Sequence, residues 1–213
     1  MRNRVRQFIM GQFGNPSGLF GRFIGNGMAK RNVYDAKWTV SLLDIQTASR
    51  VLEIGFGPGV STQIASEKAD KGFVAGIDHS ATMVQAARKR NADAIKAGRV
   101  ELRQGDVSSL PYLDDTFDIA FSLHSIYFWH DPVSCLQELR RVLKPGGRLA
   151  ITIQPKGKWN EDVINETSAS SVMTLYFGSD LAPLVTSAGY REVRVEIPPQ
   201  EDKVFLECIL GIK

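Results

Sequence analysis

The sequence predicts an α/β domain in which buried parallel strands alternate with helices. Short apolar runs at residues 51–54 and 73–77 have the composition of strands that are covered on both faces of a sheet. Stretches with helical periodicity separate such runs, which is typical of a parallel sheet flanked by helices. The third observation is a cluster of glycines directly after the first run, where the chain turns from a strand into a helix.

The elements can be predicted in order along the chain. Helices are predicted at residues 33–43, 60–69, 81–97, 132–143 and 180–188. Strands are predicted at residues 51–54, 73–77, 100–104, 117–122, 148–153, 190–197 and 203–212. The start of the fourth helix is the clearest boundary, because Asp131 is a good cap and Pro132 is favoured at the first helical position.

The first strand and the glycine cluster that follows it, together residues 51–59, indicate a ligand-binding loop. Gly55, Gly57 and Gly59 alternate with Phe56 and Pro58, so backbone N–H groups at the start of a helix can approach a ligand closely. The third glycine comes one position too early for a dinucleotide fingerprint, and no Lys-Ser/Thr pair follows for a phosphate loop. Glu53 would repel a pyrophosphate but suits a ligand with an ammonium group. A plain strand-to-helix turn is the alternative interpretation.

An acid at the end of the second strand supports a nucleoside ligand. Asp78 lies 23 positions after Gly55, and a carboxylate in this place can accept hydrogen bonds from a ribose diol. His79 and Met83 would then flank the adenine. The alternative is that Asp78 or Ser80 only caps the following helix.

The stretch that follows the fourth strand is the best candidate for the substrate-facing wall. Residues 123–131 are rich in aromatic side chains, and ligands of open α/β sheets bind beyond the carboxyl ends of the strands. For Phe128 and Trp129, ordinary core packing is an equally good interpretation. The residues that could position or deprotonate a substrate are Tyr34, His124, Tyr127 and His130.

Length and composition limit the alternatives. The chain has 213 residues, 43% of them hydrophobic, which fits one domain, residues 36–213, with an appendage. Cys135 and Cys208 are too few for a disulfide framework or a Cys-rich zinc site, so no metal and a reducing, cytoplasmic location are expected. No apolar run reaches the ~20 residues of a membrane span. No signal peptide is recognisable either.

The N-terminal segment, residues 1–35, differs from the rest of the chain. Residues 1–38 carry seven Lys/Arg and one acid, a net charge of +6, against −3 for the remainder. This local patch argues against a broad nucleic-acid surface. The segment also contains many glycines and apolar residues, so it either packs over the core or acts as a lid or substrate-binding segment. In the second case its arginines could meet an anionic group or a membrane surface.

Four motifs together resemble a known family. They are residues 51–59, residues 76–80, residues 105–111 followed by 117–118, and residues 143–147. In this order they resemble the class I S-adenosylmethionine (SAM) dependent methyltransferases, in the broad branch that includes ubiquinone/menaquinone-type enzymes. The resemblance covers residues 36–155. It implies a Rossmann-like, seven-stranded, mostly parallel sheet with helices on both faces and an antiparallel C-terminal strand, and SAM as cofactor with S-adenosylhomocysteine as product.

The resemblance also implies roles for individual residues. Glu53, Gly55, Gly57 and Gly59 would hold the methionine part of SAM, and Asp78 the ribose. The adenine would be held by Asp106 and Val107, although Asp106 could also be a simple loop aspartate. Ser122 and Leu123 would line the methyl-donor side.

Methyl transfer to an O, N or C atom of a small, partly apolar molecule is the function that this resemblance implies. No Asn-Pro-Pro-Tyr or Asp-Pro-Pro-Tyr run is present, which argues against amino-methylation of DNA bases, and two distant cysteines weaken an arsenite-methylating interpretation. An NAD-dependent oxidoreductase is the first alternative, but Val60 replaces its third glycine and its Tyr-x-x-x-Lys pair is missing. The second alternative is a non-catalytic SAM-binding protein.

Overall fold

The computed structural model of the chain describes residues 33–161, 163–165, 173–199 and 204–213. Its helices are α1 (Val33–Leu42), α2 (Val60–Lys68), α3 (Ala81–Arg90), α4 (Ala92–Lys96), α5 (Pro132–Val142) and α6 (Gly178–Ser187). Its strands are β1 (Arg50–Ile54), β2 (Phe73–Asp78), β3 (Val100–Gln104), β4 (Phe117–Leu123), β5 (Leu143–Ile153), β6 (Arg191–Glu196) and β7 (Glu207–Ile212).

The strands form one seven-stranded sheet in the order β3-β2-β1-β4-β5-β7-β6. The pairs from β3 to β5 are parallel. Strand β7 lies antiparallel to both of its neighbours, β5 and β6. The predicted Rossmann-like sheet with its antiparallel C-terminal strand is therefore confirmed. Strand order reverses between β1 and β4, and ligands of open α/β sheets bind beyond the strand ends at such a point.

Helices cover both faces of the sheet, as predicted. On one face, buried residues of α5 and α6, such as Leu136, Leu139 and Leu181, pack against β4 and β5. On the other face, Val40 of α1 and Ala65 of α2 belong to a second core with β1 and β2. The central strands β1, β2 and β4 are mostly apolar because helices cover both of their faces.

The start of α5 agrees with the sequence prediction in detail. Asp131 is the N-cap, and its Oδ1 accepts a hydrogen bond of 3.1 Å from the Ser134 backbone N–H. Pro132 occupies the first helical position, where its missing N–H has no intrahelical partner to lose. Leu136, Leu139 and Val142 are buried along one face of this helix.

Three elements differ from the prediction by more than two residues or by a break. The helix predicted at 81–97 is divided into α3 and α4, because the Asn91 amide donates to the carbonyls of Gly59 and Ala87. Strand β5 begins at Leu143 rather than 148, since Leu143 pairs with Phe117 before a register shift. Strand β7 begins at Glu207, and residue 203, where it was predicted to start, lies outside the described residues.

The N-terminal segment is described only at its last three residues, which begin α1. The predictions for residues 1–32 fall outside the described residues. No helix in the described ranges is long and apolar enough to cross a bilayer. Both cysteines are free and buried, and within the same ranges no group of His, Cys, Asp and Glu is arranged to hold a metal ion.

Candidate active site

The glycine loop connects β1 to α2, and its three glycines all have left-handed backbone conformations. The φ angles of Gly55, Gly57 and Gly59 are 71°, 50° and 78°, a region that residues with a Cβ rarely adopt. Two of these glycines are also required by packing. A Cβ on Gly55 would lie 2.3 Å from Cβ of Ser125, and one on Gly59 would lie 2.7 Å from Cβ of Ala87.

Gly57 is the glycine that leaves room for a ligand. A Cβ at this position would meet no atom within 4 Å, so the backbone is open to an approaching molecule. Its N–H donates a 2.8 Å hydrogen bond to Oδ2 of Asp78. The loop and the end of β2 are thus linked at the point where the sequence predicts the methionine and ribose parts of SAM.

Asp78 ends β2 with its carboxylate buried at the edge of the sheet where the parallel strands end, here called the carboxyl edge. Its Oδ1 accepts a 2.8 Å hydrogen bond from the Ser80 N–H. Burial raises the pKa of Asp78 above its ordinary value. Each oxygen keeps a second lone pair that can accept from a ribose hydroxyl. Ser80, not Asp78, caps α3, because the Ser80 hydroxyl accepts from the Met83 N–H.

Glu53 is a buried acid beneath the glycine loop. Its carboxylate accepts hydrogen bonds from the hydroxyl groups of Ser61 and Thr62 in the first turn of α2. Burial, the largest cause, raises the pKa of Glu53 to about 7. Both oxygens therefore hold the helix to the strand, and the contact with the ammonium group of SAM stays a prediction.

The residues predicted around the adenine lie at the ends of β2 and β3. His79 and Asp106 are exposed, whereas Met83 and Val107 are buried. Oδ1 of Asp106 accepts hydrogen bonds from the N–H and the hydroxyl of Ser108, and these bonds lower the pKa of Asp106. Only the two exposed side chains can be reached directly from solvent.

The end of β4 lies against the glycine loop. Ser122 is buried, and its hydroxyl is 2.6 Å from the hydroxyl of Ser125, which in turn donates to the Ile54 carbonyl at the end of β1. Leu123, the last residue of β4, is half-buried. These contacts bring the predicted methyl-donor side next to Gly55.

His124 begins a hydrogen-bonded group at the carboxyl edge. Its φ of 58° is unusual for a residue with a side chain, and its N–H donates to the Thr152 carbonyl of β5 at 3.0 Å. Its Nε2 lies 2.9 Å from Oδ2 of Asp35 on α1, and both side chains are 17% exposed. The loop after β4 is therefore tied to β5 and to α1.

Tyr127 is the buried member of this hydrogen-bonded group. Its hydroxyl oxygen accepts from the Gln154 N–H at 2.6 Å and donates to the Gln154 carbonyl at 3.1 Å. Burial raises the pKa of Tyr127 far above its ordinary value. The phenol therefore stays protonated, and its hydroxyl serves as a neutral hydrogen-bonding group. The Trp159 ring lies edge-on, 5.6 Å away between ring centroids.

The remaining predicted residues are less closely involved. Tyr34 is half-buried on α1 beside Asp35, and His130 is exposed at the start of α5. Trp129 belongs to the core and Phe128 packs on it. Asp35, Gln154 and Trp159 complete the hydrogen-bonded group and were not predicted from the sequence, since no local pattern marks them.

The comparisons with known proteins agree with this geometry. A family model described as a methyltransferase domain matches residues 52–151. The chain is 30% identical to the uncharacterized methyltransferase YdaC of Bacillus subtilis over 79% of this chain and 86% of the relative. It is 32% identical to the ubiquinone/menaquinone biosynthesis C-methyltransferase UbiE of Geotalea daltonii, over 54% of this chain but only 49% of that protein. A SAM-dependent methyltransferase of Aquifex aeolicus has the same fold, with a TM-score of 0.69 and 23% identity over 84% of this chain and 89% of that one.

The chain therefore belongs to the class I SAM-dependent methyltransferase superfamily, and SAM is its cofactor. Of the alternatives that the sequence left open, the NAD-dependent oxidoreductase does not agree with this membership. The open backbone at Gly57 and the free lone pairs of Asp78 fit the methionine and ribose parts of SAM.

Proposed function

We propose that this methyltransferase moves the methyl group of SAM to an O, N or C atom of a small, partly apolar molecule that binds at the carboxyl edge between the loops after β4 and β5. The observation that supports this proposal is the contact between the glycine loop and the β4 loop, where Gly55 packs against Ser125. Because of this contact, a SAM molecule on the loop would lie beside His124 and Tyr127. Similarity to a C-methyltransferase of quinone biosynthesis supports a small-molecule acceptor.

The proposal assigns the SAM-binding residues as the sequence motifs suggest. The methionine part lies on the glycine loop above Glu53, with Asp78 on the ribose. Asp106 and Val107 hold the adenine, His79 and Met83 flank it, and Ser122 and Leu123 line the methyl-donor side. SAM supplies an electrophilic methyl group, and the protein orients the acceptor toward it, which can contribute ~7–11 kcal/mol in favourable cases.

A direct test compares ligands by thermal unfolding. SAM, S-adenosylhomocysteine and NAD are added to the wild type, to Asp78→Asn and to the control Asp93→Asn on the exposed surface of α4. A ligand at about 100 times its Kd stabilises the native state by ~2.7 kcal/mol. We expect stabilisation by the two sulfur nucleosides, reduced in Asp78→Asn but not in the control. Stabilisation by NAD alone would refute the proposal.

The acceptor side of the proposal concerns Tyr34, His124, Tyr127 and His130, which position or deprotonate the acceptor. Substitution of each residue (Tyr→Phe or His→Gln) should lower turnover more than it lowers SAM affinity. His130 is exposed, so its substitution should have the smallest effect. Unchanged turnover in all four variants would contradict the assignment.

The N-terminal segment, residues 1–35, is proposed to act as a lid or substrate-binding segment in the cytoplasm, with a membrane surface as a further contact. The start of α1 supports this proposal, because Asp35 contacts His124, one of the residues proposed to face the acceptor. Cosedimentation with liposomes, for the full chain and for a chain without residues 1–30, tests the membrane contact. Equal sedimentation of the two would count against it.

A further inference from the structure

We propose that Asp35 and His124 form a carboxylate–imidazole pair that removes a proton from the methyl acceptor, and that the acceptor is a planar ring compound with an ionisable hydroxyl group. This inference rests on the proposed function and narrows it. His124 would touch the acceptor as the base, whereas Asp35 acts through His124 as a positioning residue. Neither the motifs nor the family resemblance assigns a role to Asp35.

The position of the pair is determined by contacts on both sides. One helical turn after Asp35, the Thr39 hydroxyl donates to the Thr152 hydroxyl at 2.9 Å in a fully buried contact. The backbone N–H of His124 donates to the carbonyl of the same Thr152. Helix α1 and the β4 loop therefore share one anchor on β5, which keeps the carboxylate 2.9 Å from Nε2.

The hydrogen bonds determine which nitrogen of His124 carries the proton. The Asp35 carboxylate can only accept, so the neutral imidazole donates its Nε2–H to Asp35 and keeps a lone pair on Nδ1. The hydroxyl oxygen of Tyr127 is 3.5 Å from Nδ1. The Tyr127 hydroxyl has a single proton, and it donates that proton in a hydrogen bond to the Gln154 carbonyl. Hydrogen bonds among the described residues bring no other donor to Nδ1, which is therefore able to accept a proton from a substrate.

Strain at His124 also indicates a functional site. A φ of 58° costs energy for a residue with a Cβ, and such strain persists only where the surroundings impose it. Here the Thr152 carbonyl and the Asp35 carboxylate impose it from two directions. These two contacts hold His124 between β5 and α1.

The surroundings of the pair favour a planar apolar acceptor. The imidazole of His124 is nearly parallel to the ring of Tyr127, with an interplanar angle of 12°. The rings of Phe128 and Trp159 meet Tyr127 edge-on at 87° and 84°. Trp159 is held by a 3.0 Å hydrogen bond from its Nε1–H to the Gln154 carbonyl. Phe128 and Trp159 are only half-buried, so part of each ring is open beside the pair and suits contact with an apolar ring compound.

The chemical step balances with these groups alone. The O–H bond of the acceptor breaks, and its proton moves to Nδ1, while Asp35 stabilises the imidazolium that forms. An electron pair of the oxygen, or of the ring carbon that shares its charge, makes the new bond to the methyl carbon. The carbon–sulfur bond breaks and its pair stays on sulfur, which leaves S-adenosylhomocysteine. A methylated ring carbon then passes its own proton to the ring oxygen, by way of solvent, which restores the hydroxyl group, and His124 releases its proton to water.

The first test determines which nitrogen of the His124 imidazole carries the proton. Nitrogen NMR of the full chain at pH 8 should show His124 as the Nε2–H tautomer in the wild type and in the control Asp44→Asn, which changes an exposed acid just after the other end of α1. Asp35→Asn should lose this preference, and Asp35→Glu should retain part of it. A wild-type His124 that carries its proton on Nδ1 would overturn the proposal.

The second test measures S-adenosylhomocysteine release with two sets of acceptors. Phenols and catechols should be methylated, whereas N,N-dimethylaniline and thioethers, which have no proton to lose, should not be. In His124→Gln and Asp35→Asn, kcat on the phenols should fall ~100-fold or more with little change in KM, and Asp35→Glu should recover part of it. Turnover of the second set alone, no turnover of the phenols, or an unchanged kcat in Asp35→Asn would overturn the proposal.

SAM binding separates failure of this inference from failure of the proposed function. Both variants should be stabilised by SAM as much as the wild type, because neither residue contacts the glycine loop in the described structure. A wild type that SAM does not stabilise would refute the proposed function itself. Normal stabilisation by SAM, combined with turnover that needs no proton loss, would refute only the role of the pair.

Discussion

Glu53→Gln should change how the stability of this methyltransferase depends on pH. The carboxyl group of Glu53 is buried beneath the glycine loop, and burial raises its pKa from 4.5 to about 7. In the unfolded chain the same group ionises near its ordinary pKa. Between these two values the folded protein holds a proton that the unfolded chain has lost, so the free energy of unfolding falls as the pH rises through this window.

The two pKa values correspond to a stability change of roughly 3 kcal/mol across the window. Glutamine keeps the size of the side chain but does not titrate. Urea unfolding at pH 5 and pH 8 should therefore show that Glu53→Gln gains roughly 3 kcal/mol relative to the wild type as the pH rises. Glu67→Gln, an exposed substitution on the same helix, should show a constant difference.

Parallel stability curves for the wild type and Glu53→Gln would refute this reasoning. They would mean that folding does not change the protonation of Glu53, and hence that the buried hydroxyl partners compensate fully for the loss of water. The Glu67→Gln control matters because the subtraction must remove every other group that titrates in this pH range. Asp78, whose pKa burial also raises, is retained in both variants, but its charge contributes to the raised pKa of Glu53, so the measured difference includes this interaction.

Three further predictions concern the packing of Gly55, the open position of Gly57 and the hydrogen bonds of Arg141. Gly55→Ala should cost about 2–4 kcal/mol of stability in urea unfolding through its clash with Ser125, and Ser125→Gly should recover part of this; no recovery would contradict the clash. Gly57→Ala and Gly98→Ala both change a glycine at an open left-handed position, and each should lower the free energy of unfolding by about 1–2 kcal/mol. Only Gly57→Ala should weaken SAM binding in calorimetry. Equal SAM affinities of the two variants would contradict the assignment of the loop. Arg141→Met should lower the free energy of unfolding by about 2–3 kcal/mol, because the Arg141 guanidinium donates to two carboxylates and two carbonyls. SAM affinity should be unchanged. A smaller loss of stability would show that solvent replaces these hydrogen bonds.

Local patterns were sufficient to predict most of the fold. Parallel strands buried on both faces need nearly continuous apolar residues, so β1, β2 and β4 could be recognised from composition alone. The seven-stranded, mostly parallel sheet followed from the family resemblance, and strand order was not predicted, since periodicity carries no information on which strands are neighbours. The Asp131–Pro132 boundary was accurate because a helix cap depends only on residues within one turn.

The break at Asn91 shows where local patterns are insufficient. Residues 81–97 contain no proline or glycine, so a single helix is the best prediction. The Asn91 side chain instead bonds to the Gly59 carbonyl, 32 residues earlier in the chain. That bond joins the end of α3 to the glycine loop. A tertiary hydrogen bond therefore decides the helix boundary, and the same bond stabilises the loop that the motifs do predict.

Asp35 could have been found only by combining two kinds of information. Its partner His124 lies 89 residues away, and no sequence spacing connects them. Yet residues four apart on a helix lie on the same face. Asp35 lies one turn before Thr39 on α1, so its side chain must lie close to the residues beside the contact that Thr39 makes. Thr39 contacts Thr152, which pairs with Leu123 at the end of β4. The first residue after β4 is His124, so the register of the sheet and the period of the helix together bring the acid and the imidazole into contact.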